Sequence, residues 1–214
     1  MTPDESLLST FIAARLDADP AHDLAHVQRV VDTARRLAQA EGADLEVVIP
    51  AAWLHDCVSL PKNHPERHLA SRQAAAMARD FLREHGVTEP RLGAIAHAIE
   101  AHSFSAGIAA TTLEAQVVQD ADRLDALGAV GIARCLLTGG AIGRPLYAPD
   151  DPFCVQREPD DAHFCIDHFY RKLFAIGATL HTASARTEAA GRLTFMRQFL
   201  VQLGLETGHS PAID

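Results

Sequence analysis

Aromatic side chains are scarce, at 6% of 214 residues with one Trp and two Tyr. That scarcity, beside abundant Ala and Leu, works against a sheet-rich fold and favours packed helices. Cysteine is sparse too: Cys57, Cys135, Cys154 and Cys165 form no C-x-x-C pair and no zinc-ribbon spacing, which excludes the common cysteine-held metal motifs. No apolar run approaches the ~20 residues needed to span a bilayer. Near the start, Asp4 and Glu5 precede only a short apolar patch, unlike a signal peptide, so a cytoplasmic protein with reduced thiols is expected and no membrane partner. Positive charge is outnumbered, 19 Lys and Arg against 28 Asp and Glu, for a formal net charge of −9. Such a field repels a nucleic-acid polymer. There is no internal repeat, low-complexity segment or linker-like stretch.

What is present describes a globular helical chain, with 48% hydrophobic and 22% charged residues. The length suits one domain with its own core, expected over residues 1–205 with a frayed tail at 206–214. Periodicity and caps predict helices over 5–17, 23–41, 44–57, 65–85 and from Thr88 to about His102, broken at Asp19-Pro20 and Gly42. Thr111-Thr112-Leu113-Glu114 reads as a capping box opening a sixth helix to about Leu127. Residues 139–160, rich in Gly, Pro and Asp, read as a long loop or lid, in which Tyr147 or Phe153 could stack on a base or, equally, pack on the body of the protein. Helices resume over 160–176 and 180–203.

The most telling feature is His55-Asp56. Leu45, Val48, Ile49, Ala52 and Trp53 lie at helical spacing on an apolar stripe, and the next step falls on Asp56. A carboxylate there is costly unless neutralised. A cation held by Asp56 and His55 would do that, and an oxygen and imidazole donor set suits Mn, Fe, Co, Ni or Zn. Two further helices carry ligand-type residues. One is His22-Asp23-x-x-His26-Val27, with His26 beside the apolar face of Val27, Val30 and Ala34. The other is Gln119-Asp120-Ala121-Asp122-Arg123-Leu124-Asp125. Two His and two Asp around one ion make a hydrolytic site. The 12 histidines agree with such chemistry.

The H…HD…D pattern on successive helices resembles the HD-domain superfamily of metal-dependent phosphohydrolases. Longer blocks narrow it: Ala52-x-x-His55-Asp56, Lys62-Asn63-His64-Pro65, Ala101-His102-Ser103-Phe104-Ser105 and Val118-Gln119-Asp120 through Ala129. They are similar to the bacterial HD subfamily that hydrolyses nucleoside triphosphates to monophosphate and pyrophosphate, preferring manganese. The resemblance covers roughly residues 20–200 and implies an all-α helical bundle with a small nucleotide as substrate. The alternatives are an HD phosphohydrolase acting on another phosphoester, such as a nucleoside monophosphate, a cyclic nucleotide or guanosine tetraphosphate, and a nucleotide-sensing module that keeps the metal but turns nothing over.

Carried over residue by residue, the resemblance implies His26, His55 and Asp56 as ligands of one divalent metal, Mn first, with Mg, Co, Ni, Fe and Zn as alternatives. The last ligand is open between Asp120 and Asp122. Asp122 is favoured, and Asp120 is left to a surface salt bridge or to orienting Arg123. Asp56 could also hold the attacking water, with Asp125 or Asp120 either the general base or a partner that orients a ligating His. Lys62, Asn63 and His64 directly follow the pair and suit phosphate contact, with Lys62 and His64 neutralising the departing group; Arg67 and His68 are balanced between contact and solvent. His102 is a further substrate contact; Arg123 and Arg134 could also reach the ligand or simply pair with surplus carboxylates, and Arg123 is counted with the substrate contacts. His97 reads as a satisfied core residue, because the spacing of His97 and His102 does not match that of two-metal enzymes. A homodimer stays open.

Overall fold

A short helix, buried from Val47 to Leu54, lies at the centre of the first of two compact units. The computed structural model describes residues 3–16, 23–58, 60 and 64–211. Among them no strand occurs, so the chain is all-α as its composition implied. Contacts divide it into one unit running to Asp122 and including His181–Ser184, and another of Arg123–Leu180 with the chain from Ala185.

In the first unit, α1 spans Glu5–Ala13, α2 Leu24–Glu41 and α3 Leu45–Leu54. Asp23 starts α2 by accepting the His26 N–H at 2.8 Å, satisfying a donor that a helix N-terminus leaves orphaned. Gly42 ends it at φ 79°, a left-handed geometry that costs glycine nothing. Val27, Val30, Val31, Ala34 and Leu37 are all buried, as their spacing predicts. Asp44 caps α3 through the Glu46 N–H at 2.8 Å. Every residue of α3 from Val47 to Leu54 is buried. The expected one-sided stripe is therefore a helix enclosed all round, flanked by α2, by α5 (Arg91–His102) and by α1. Glu5 anchors α1, accepting from Trp53 Nε1 at 2.9 Å and from Arg35 Nη2 at 2.7 and 2.8 Å.

The third helix stops earlier than residue 57, and the reason is local. An α-helix running on would give the Ala52 carbonyl to the Asp56 N–H. Instead His55 Nδ1 takes that carbonyl at 2.7 Å, and the chain turns. The fourth helix also starts later than expected. A 3-10 turn, Arg67–Leu69, precedes α4 (Ala70–Glu84), with the Glu66 N–H donating to His64 Nδ1 at 3.1 Å. A second 3-10 turn, Phe104–Ala106, follows α5. Helix α6, Leu113–Asp125, is capped by Thr112, whose hydroxyl accepts from Ala115 N–H at 3.2 Å, so Thr111 and Glu114 do not form the expected box. Thr111 bonds His97 Nε2 at 2.9 Å, and Glu114 accepts from the Asp44 N–H at 3.2 Å.

In the second unit, α7 spans Gly128–Ala141, a π-helical turn Phe169–Leu173 leads into α8 (Phe174–Ile176), and α9 runs Ala183–Thr207, beyond the expected end at 203. Gly139 and Gly140 lie inside α7 and do not break it. A Cβ on Gly139 would sit 2.1 Å from Cys165 Sγ, so this glycine is a close-approach residue. Residues 142–166 carry no helix but are packed. Phe153 is 1% exposed, so of the two roles open to it, stacking on a base or packing on the body, the structure shows packing. Asp167, fully buried, accepts from Arg157 Nη2 at 2.8 Å and from the Asp160 N–H at 2.6 Å.

Candidate metal centre

Asp56 sits in the turn just past α3, and three imidazoles face it. His26 comes from the first turn of α2, His55 from the end of α3 and His102 from the end of α5. His26 Nε2 and His55 Nε2 lie 3.7 and 3.5 Å from Asp56 Oδ2; His102 Nε2 lies 3.5 Å from Oδ1. Asp122, on α6, places Oδ1 3.5 Å from His26 Nε2. Among the described residues His26, His55 and Asp56 form the tight triad, each offering a donor atom within 4.8 Å of the other two. Asp122 joins it on the His26 side.

These spacings suit a cation better than hydrogen bonds. Donors about 2.1 Å from one ion stand about 3.0–3.4 Å apart, close to the observed 3.5–3.7 Å, whereas hydrogen bonds close to 2.7–3.2 Å. The sharper observation is at His55. Its Nδ1 is committed to the Ala52 carbonyl at 2.7 Å, so the proton sits there and Nε2 carries the lone pair. That Nε2 is buried and has no hydrogen-bond partner. A buried nitrogen left so is expensive, and a metal ligand is the chemistry that satisfies it. His102 repeats the device, with Nδ1 on the Ile99 carbonyl at 2.6 Å.

The electrostatics agree. Burial pushes the His55 pKa down, outweighing the pull of Asp56, so the ring stays neutral and able to ligate. Burial alone would raise Asp56, but the imidazoles gathered around it, His55 first and then the contact with His102, hold its carboxyl well below the usual range. His102 goes the other way: burial opposes its charge, but contact with Asp56 raises its pKa.

The two candidate aspartates of α6 have different surroundings. Asp120 is fully buried and accepts from His181 N–H at 3.0 Å, Thr182 N–H at 2.8 Å and Thr182 hydroxyl at 2.8 Å. It is thus neither a surface salt bridge nor a guide for Arg123; it ties down the backbone ahead of α9. Its neighbour Gln119, 4% exposed, donates to the Ala101 carbonyl at 2.6 Å and accepts from His181 Nε2 at 2.6 Å. Sequence reasoning missed both roles, since no spacing links positions 62 residues apart.

His64 is half-buried, and its Nδ1 accepts the Glu66 N–H, which leaves Nε2 as a donor in the neutral ring. Arg67 donates to the Leu60 carbonyl at 2.8 Å, and His68 is exposed. Lys62, Asn63 and His22 lie outside the described residues. In the second unit, Asp125 is buried and accepts from Arg134 Nη1 at 2.6 Å, and Arg123 donates to the Thr179 carbonyl at 2.6 Å.

The comparisons with known proteins agree with this geometry. The HD domain pattern matches residues 23–127, a span that contains all five residues of the cluster. The chain is 36% identical over 193 residues to Bacillus subtilis YpgQ, covering 87% of this chain and 85% of that one. The crystal structure of YpgQ in complex with ADP superposes with TM-score 0.74 at 31% identity, covering 94% and 93% of the two chains. An HD-superfamily hydrolase from Bacillus thuringiensis gives TM-score 0.74 at 33% identity, covering 94% and 95%. No single helix among the described residues is long and apolar enough to cross a membrane. The chain belongs to the HD-domain superfamily of hydrolases.

Proposed function

We propose that this hydrolase is a phosphohydrolase that converts nucleoside or deoxynucleoside triphosphates to the monophosphate and pyrophosphate, with one divalent metal, manganese first, held by His26, His55, Asp56 and Asp122. The observation that carries the reading is the buried, unpartnered Nε2 of His55, aimed with His26 at one oxygen of Asp56. Bound there, a divalent cation supplies Lewis acidity toward a phosphoryl oxygen and a water of lowered pKa. His55 and Asp56 fix the donor geometry from one turn, and His26 and Asp122 close it from two other helices. His102, 3.5 Å from the second Asp56 oxygen, would orient a phosphoryl oxygen or the incoming water. His64 presents a donor toward a departing anion, and Lys62 and Asn63, directly preceding it in sequence, would share that task. Asp125, engaged by Arg134, has no part in this reading.

Substrate class rests on the extended sequence blocks and on the ADP held by the YpgQ structure. Anion-exchange analysis of products from a nucleotide panel with Mn tests it. Monophosphate and pyrophosphate in equal amounts are expected; orthophosphate alone, or no product under Mn, Co and Ni, overturns it.

A further inference from the structure

Phe104 is the most exposed large hydrophobic side chain among the described residues, at 79%. In the first unit the other exposed one is Met77, at 38%. Leaving a phenyl ring in water forgoes about 1.5–3 kcal/mol of burial, and its position indicates what it serves. It opens the 3-10 turn Phe104–Ala106, two residues beyond His102, so its backbone lies within about 7 Å of that histidine. His102 in turn faces Asp56 at 3.5 Å. The turn packs against the other 3-10 turn, Arg67–Leu69, and against α4. Two segments thus leave the metal centre, one from Asp56 and one from His102, and meet beside it. One brings His64, Arg67 and His68; the other brings an uncovered aromatic ring between Ser103 and Ser105, whose hydroxyls bond each other at 3.0 Å.

We propose that Phe104 is the stacking platform for the base of the nucleotide whose phosphates lie at the metal centre. The inference rests on the nucleotide reading above and adds the binding residue for the base. A nucleotide's base hangs one sugar away from its α-phosphate, and a ring two residues beyond His102 is at that reach. Cationic and donor groups on the facing turn suit the phosphate end, and the ring suits the apolar face of a base. Stacking is tolerant of base identity, since every base has a π-face, so this platform selects for a nucleoside over a bare polyphosphate.

The test is equilibrium binding to the full-length, Mn-loaded protein, by calorimetry, with ADP and with inorganic pyrophosphate as probes. Phe104→Ala is expected to weaken ADP about tenfold or more, the scale of one lost base stack, while pyrophosphate shifts by less than about twofold. Phe104→Trp restores ADP affinity, and Phe104→Leu, apolar without a π-face, restores it only in part. Equal loss for ADP and pyrophosphate overturns the platform, as does unchanged ADP affinity in Phe104→Ala or an absence of ADP binding by the parent. A parent that binds ADP through Phe104 but releases no pyrophosphate from triphosphates refutes the proposed reaction and leaves the platform standing. One that hydrolyses triphosphates while Phe104→Ala binds ADP normally does the reverse.

Discussion

Asp56 and Asp167 are carboxylates taken out of water in different units, and their surroundings could hardly differ more. Asp167 is saturated: the Arg157 guanidinium grips both oxygens and the Asp160 N–H adds a third bond. Asp56 is surrounded by imidazole nitrogens that stop at 3.5–3.7 Å, beyond good hydrogen bonds. A carboxylate with a structural role closes its contacts, whereas one proposed to ligate keeps room for something between. Side-chain exposure, 17% for Asp56 and 0% for Asp167, separates them far less than their partners do.

The largest effect should come from breaking the open cluster. His55→Ala or Asp56→Ala should lose bound metal and reduce hydrolysis about a thousandfold or more, with helical circular dichroism retained; a variant turning over at the parent rate would sink the assignment. Next comes the closed pair. Asp167→Ala leaves the Arg157 guanidinium without its buried partner and should cost about 3–5 kcal/mol in urea unfolding, with metal content unchanged; a loss under 1 kcal/mol would remove the contrast. Third, Mn at about 100 times its Kd should stabilise the parent by about 2.7 kcal/mol, seen as a rise in Tm that is absent in His55→Ala. Smallest is the split within α6. Asp120→Ala should cost about 1–3 kcal/mol through the stranded Thr182 and His181 donors yet keep metal, whereas Asp122→Ala should lose metal at little cost in stability. The opposite pattern on metal analysis would exchange their roles.

Much of this was legible in the sequence where chemistry and periodicity coincide. The inward face of α2 and the stop at Gly42 follow from local rules, and His26, His55, Asp56 and Asp122 do come together. Asp120 was misread because its partners, His181 and Thr182, lie in another segment, and a buried bond to a distant backbone N–H leaves no trace in spacing. The glycines of α7 read as breakers because the tight neighbour that requires one of them, Cys165, is 26 residues beyond Gly139. Helix α3 overran by three residues because periodicity cannot see a histidine ring taking a carbonyl from its own helix.

That ring has a consequence for how an ion would be captured. His55 and His102 each end a helix by turning Nδ1 onto the carbonyl three residues back, so each imidazole is pinned in one tautomer and one rotation before any ligand arrives. Donors already aimed leave little disorder for binding to remove. Metal exchange should then be governed by how readily the incoming ion sheds its water shell, with no rearrangement of the chain to wait for.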